Sequence, residues 1–140
     1  MLSSRSIELA SWVTLGAFVV TIVPDAAGLH AFDGVAAIVA LALFLASLPI
    51  WCYAFGLAVV RNARGDDVTV GNLFFLIGSA PDDVRRRLLT VVGISVLVAA
   101  GTAWANAFAA LEPMMPLALL PLWGALHGTF PARPAAVASR

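Results

Sequence analysis

From Gly34 to Val60 the chain carries no Asp, Glu, Lys, Arg or His. As a helix this stretch is about 40 Å long, more than the ~30 Å hydrocarbon core of a bilayer. Three further apolar stretches, residues 7–23, 88–111 and 113–130, approach the roughly 20 residues that a crossing needs. The whole chain agrees, with 140 residues that are 61% hydrophobic and only 11% charged. Soluble domains are roughly 45–50% apolar and about 25% charged, so a soluble enzyme is excluded. The formal net charge of zero leaves no basic field for nucleic acid, which drops out as a partner. The expected fold is all-α: one domain over residues 1–140, a four-helix transmembrane bundle whose first partner is the lipid bilayer.

Arginine sets the expected orientation, because basic residues near span ends stay on the cytoplasmic side. Arg5 precedes the first span, Arg61, Arg64, Arg85, Arg86 and Arg87 lie between the second and third, and Arg133 and Arg140 follow the fourth. The loops at residues 24–33 and 111–116 hold no arginine but carry Asp25, Asp33 and Glu112. Both termini are therefore expected in the cytoplasm, with residues 61–87 as the cytoplasmic loop of a multi-pass protein of the inner (cell) membrane. A signal peptide cleaved after Ala27 would place Asp25 where a small neutral residue is favoured, so the first stretch reads as a span.

Within the cytoplasmic loop, the apolar run from Val68 to Ala80 covers about 20 Å even as a perfect helix, which makes it interfacial or re-entrant. Ser79-Ala80-Pro81-Asp82 reads as a helix start with Ser79 at the cap. Asp82 with Arg86 and Asp83 with Arg87 stand at helical i, i+4 spacing. Pro24 ends the first span, and Pro49 is expected to kink the second. Pro113, Pro116, Pro121, Gly124 and Gly128 make the fourth the least regular. On the third span Ser95, Ala99, Ala103 and Ala107 form a small-residue stripe for close helix packing, with Ala36/Ala40 and Ala42/Ala46 as shorter versions on the second.

An ionisable group deep in the membrane would mark function, since its charge costs several kcal/mol there unless paired or hydrated. None is expected: Glu8 lies one turn inside the first helix beside Arg5, Glu112 lies in an outer loop, and Asn106 falls about 28 Å from Arg87, at headgroup level. His30 between Asp25 and Asp33 is too generic for a metal site, and His127 lies at the opposite face, so the two histidines cannot share a haem. Cys52 is the single cysteine, which excludes an internal disulfide and a Cys-x-x-Cys pair, and it reads as an apolar filler. No cofactor, metal or catalytic residue is expected. Trp12, Trp51, Trp104, Trp123 and Phe108 fit interfacial belts. Phe74 and Phe75, with Arg85, Arg86 and Arg87, are the candidates for docking the loop to headgroups or to a partner protein.

The segments Arg61-Asn62-Ala63-Arg64-Gly65-Asp66-Asp67, Gly71-Asn72, and Trp123-Gly124 through Gly128-Thr129-Phe130-Pro131 resemble those of small integral membrane proteins of actinobacteria. The resemblance implies location and no activity. The chain departs from small four-helix multidrug transporters, whose membrane-embedded glutamate sits well inside the first helix, whereas Glu8 is near its start.

The resulting expectation is a non-enzymatic accessory or assembly subunit of a larger membrane complex, with other membrane subunits as partners. The alternative is a small homo-oligomeric channel or transporter lined by the Pro49 kink, Ser47, Tyr53 and the irregular fourth helix. An intramembrane lipid enzyme lacks the clustered acids or histidines its chemistry needs.

Overall fold

The computed structural model describes residues 2–133. Five α-helices follow one another: α1 (Ser4–Ala26), α2 (Asp33–Ala63), α3 (Val70–Phe74), α4 (Asp82–Thr102) and α5 (Met114–His127). Short 3₁₀ turns at His30–Phe32 and Ala107–Leu111 lead into α2 and α5. Among the described residues there is no strand, only an isolated bridge between Asp66 and Ala132.

Three of these helices are long and apolar enough to cross a membrane: α1, α2 with its leading turn, and α5 with its leading turn. The fourth expected crossing differs. In α4 the arginines at 85–87 fall inside the helix, so its uncharged length starts at Leu88 and runs about 21 Å to Thr102.

Nor does that helix continue to residue 111. Asn106 leaves helical geometry (φ −142°, ψ 110°), and its Oδ1 accepts from the Phe108 amide at 3.1 Å, starting a new 3₁₀ turn. The span expected at 88–111 is thus a helix to Thr102, a turn, and the first part of the return path. The last segment long and apolar enough to cross is Ala107–His127 rather than 113–130. At the same end of the bundle as Asn106, α1 continues through Pro24 to Ala26. The Pro24 carbonyl accepts from the Leu29 amide, and Gly28 turns the chain at φ +91°.

The centre of the bundle is α5, which packs against α1, α2, α3 and α4 and buries every residue from Ala118 to Ala125. Ala118, Gly124 and Ala125 let neighbouring backbones come close, which in lipid replaces the hydrophobic drive of a soluble core. Trp123 belongs to this core, donating from Nε1 to Ser4 Oγ at 2.8 Å, and not to an interfacial belt. Trp51 donates to the Met114 carbonyl at 3.3 Å and ties α2 to the start of α5.

The segment from Val68 to Ala80 is folded under the end of α5. Thr69 and Asn72 form a reciprocal capping box around α3, and Leu73 and Leu76 are buried. A Cβ on Gly124 would stand 3.0 Å from the Leu73 carbonyl oxygen and 3.1 Å from Leu76 Cδ2, so only glycine admits this approach. Ser79 does not cap α4: its hydroxyl donates to the Asn72 carbonyl, and Pro81 holds the cap position without a side-chain bond. The chain after α5 seals the same region, through Thr129 N to Ser79 O, Asp67 N to Pro131 O and Arg133 N to Gly65 O at 2.8–2.9 Å. Arg61 adds an ion pair to Asp66 at 2.8 Å, a bond to the Ala125 carbonyl and a stack over Phe130.

Candidate functional site: a carboxyl inside the bundle

Glu112 was expected in an outer loop. It is fully buried, at 0% exposure. The 3₁₀ turn from Ala107 carries it about 10 Å inward from Asn106, at ~2.0 Å per residue. Its Oε1 accepts from Ser95 Oγ at 3.4 Å, a long contact, and Oε2 has no hydrogen-bond partner. Ser95 lies about 10 Å along α4 from Thr102 and about 12 Å from Arg87, near the middle of the apolar part of that helix. Two routes along the chain therefore place the carboxyl at mid-height.

The backbone around Glu112 is satisfied. Its amide donates to Ala109 O at 3.3 Å, and its carbonyl, which Pro116 cannot serve, accepts from Met115 N at 2.9 Å. Other buried hydroxyls within the long helices are occupied by their own helix, Ser11 with Ile7 O at 3.0 Å, Ser47 with Phe44 O at 2.6 Å and Thr102 with Val98 O at 2.7 Å. Glu112 makes no ion pair among the described residues. A carboxylate ion in this setting costs several kcal/mol, so the side chain calls for a proton or a cation.

A second buried polar group sits at the end of the bundle opposite the arginine-rich loop. Asn106, 5% exposed, donates from Nδ2 to Asp25 Oδ2 at 3.1 Å and to the Asp33 carbonyl at 3.3 Å, with Asp33 Oδ1 at 3.5 Å. It joins the α1–α2 and α4–α5 connections instead of facing headgroups. No group of three or more His, Cys, Asp or Glu suited to a metal occurs among the described residues.

The expected packing stripe is split. Ser95 and Ala99 are buried and face the bundle, Ala103 caps α4, and Ala107 is exposed beyond the helix. Phe74 packs against Trp51 and Phe55 with ring centroids 5.4 and 5.7 Å apart, while Phe75 is exposed. Arg85 donates from Nε to the Phe75 carbonyl at 2.9 Å; Arg87 pairs with Glu8 at 3.3 Å and Asp83 at 3.6 Å, and Arg86 is exposed. Glu8 thus answers Arg87 rather than Arg5. Cys52 is exposed on α2. Tyr53 and Pro49 are also exposed, whereas Ser47 is buried.

Glu112 is not legible as an interior group from the sequence, because Pro113 reads as the start of the last span. The available signal was the flank on either side: Phe108-Ala109-Ala110-Leu111 and Pro113-Met114-Met115-Pro116 contain no other charge. Comparison with protein-family models, curated proteins and solved structures finds no match for this chain.

Proposed function

We propose that the chain is a non-enzymatic, multi-pass membrane protein that moves protons across the bilayer, with Glu112 as the proton-binding group and Ser95 as its positioning partner. One observation carries this reading: a carboxyl at mid-height of the bundle, with no exposure and one oxygen unpartnered. Burial of that kind lowers stability and is retained where a charge or proton must visit the interior. With no surface open at Glu112, a proton, passed along a transient file of water, needs the smallest parting of the helices of any cation. In this arrangement α4 crosses with its whole 21-residue length, about 31 Å, the turn bearing Arg85–Arg87 lying at headgroup level, alongside α1, α2 and the Ala107–His127 segment, and both termini lie with the arginines in the cytoplasm.

Reconstituted vesicles loaded with a pH-reporting dye and driven by a potassium diffusion potential test the proposal. Proton uptake above that of protein-free vesicles is expected, falling at least tenfold in Glu112→Gln. Uptake that is absent in the native chain, or undiminished in Glu112→Gln, overturns it.

A second reading, the accessory or assembly subunit, is favoured by the built surface at the arginine-bearing end, where Phe75 and Ile77 stand exposed on a segment otherwise held tightly. Purification from native membranes in mild detergent distinguishes it: a chain that elutes alone or only with itself counts against this role.

A further inference from the structure

We infer that the arginine-bearing end of the bundle holds one anionic phospholipid, its phosphate between Arg85 and Arg86 and one acyl chain in the groove below α3. The inference is independent of the role given to Glu112.

Two grooves meet at Leu89. The first, about 380 Å³, is lined by Asp82, Arg85, Arg86, Leu89 and Thr90. The second, about 310 Å³, is lined by Val70, Phe74, Phe75, Leu89, Val92, Leu117 and Leu120, without a charged or polar side chain among them. A polar mouth opening onto a wholly apolar slot at a span end has the layout of a lipid, headgroup above chain.

The charges fit the anion. Of the three consecutive arginines, Arg87 is engaged by Glu8 and Asp83, and Arg86 has no ion pair among the described residues. Arg85 is fixed by its Nε bond to the Phe75 carbonyl, which leaves its terminal nitrogens for a second acceptor and anchors the mouth to the slot at one residue. Two guanidiniums face one carboxylate, Asp82, and the Thr90 hydroxyl offers a further donor. Basic residues at a cytoplasmic span end attract anionic lipid by about 1 kcal/mol each. The groove adds what diffuse attraction lacks, a place for the chain.

Native mass spectrometry of the full chain in mild detergent, titrated with phosphatidylglycerol or phosphatidylcholine of identical acyl chains, tests the site. One phosphatidylglycerol per chain is expected to be retained at least fivefold better than phosphatidylcholine. Arg86→Gln, an exposed change that leaves folding intact, should bring that preference below twofold, as should Arg85→Gln, whereas Arg64→Gln should keep it. Leu117→Trp, which fills the slot, should lower retention of both lipids at least fivefold while the helical circular dichroism is unchanged. Equal retention of the two lipids by the native chain, an undiminished preference in Arg86→Gln, or unchanged retention in Leu117→Trp overturns the inference. So does displacement of the lipid by millimolar inorganic phosphate, which would make the mouth a simple phosphate site.

Discussion

Replacing Ser95 by Ala removes the one hydroxyl that reaches Glu112 and leaves both carboxyl oxygens buried without a partner. Orphaning a buried polar group costs about 1–3 kcal/mol, so Ser95→Ala should destabilise the bundle by that amount. Glu112→Leu acts in the opposite direction. It removes the group that needs a partner at similar volume, and the freed Ser95 hydroxyl can turn to the carbonyl four residues back, as Ser11 and Thr102 do. Its stability should be unchanged or higher by about 1–3 kcal/mol, because the cost of burying an unpartnered polar group is removed. In the Glu112→Leu background, Ser95→Ala should then cost almost nothing. The coupling between the two positions is therefore expected to be about 1 kcal/mol or more. Reversible unfolding of the full chain in bicelles, driven by steric trapping at two biotinylated sites, reads these differences directly. An equal cost of Ser95→Ala in both backgrounds, or a Glu112→Leu chain less stable by more than about 2 kcal/mol, would refute the argument that this carboxyl is a burden on the fold.

Two other regions give independent expectations. Gly124→Ala places a methyl 3.0 Å from the Leu73 carbonyl oxygen, so α3 must lift from α5 at a cost of about 1–3 kcal/mol, seen as faster hydrogen exchange over residues 69–80 with α1 and α2 unaffected. Asn106→Ala removes the donor to Asp25 and Asp33 and the cap of the following turn, for about 1–3 kcal/mol, and should speed exchange in both connections at that end. Unchanged exchange in either variant would show that the named contact does not hold its segment.

The helical class and the long apolar segments are legible because hydrophobic length is a one-dimensional property: residues 34–60 read as a crossing, and α2 covers them with three more residues at its C-terminal end and one at its N-terminal end. The position of Glu112 was not legible in the same way. It depends on how the chain turns back after α4, where Asn106 starts the 3₁₀ turn with its side chain bonded to Asp25 and Asp33, more than 70 residues earlier in the chain. Counting from Arg87 as if the helix were unbroken sent Asn106 to the surface and left the acid in a loop. Ser79 misled for a related reason: its sequence context suits a helix cap, but its hydroxyl is used by Asn72 of the folded segment before it. Phe74 and Phe75 were singled out together, and only the tertiary structure separates the one that stacks on Trp51 from the one left outside.

Whether Glu112 lies inside the bundle or in an outer loop can be read by single-cysteine labelling in sealed membranes, on a Cys52→Ala background, with a membrane-impermeant maleimide. With the carboxyl position enclosed as found, Glu112→Cys should stay unlabelled from either face until the protein is unfolded, while Ala27→Cys reacts only from outside and Arg64→Cys only from inside. Labelling of Glu112→Cys from the outer face at the rate of Ala27→Cys would put the acid in water and remove the basis for its proposed role.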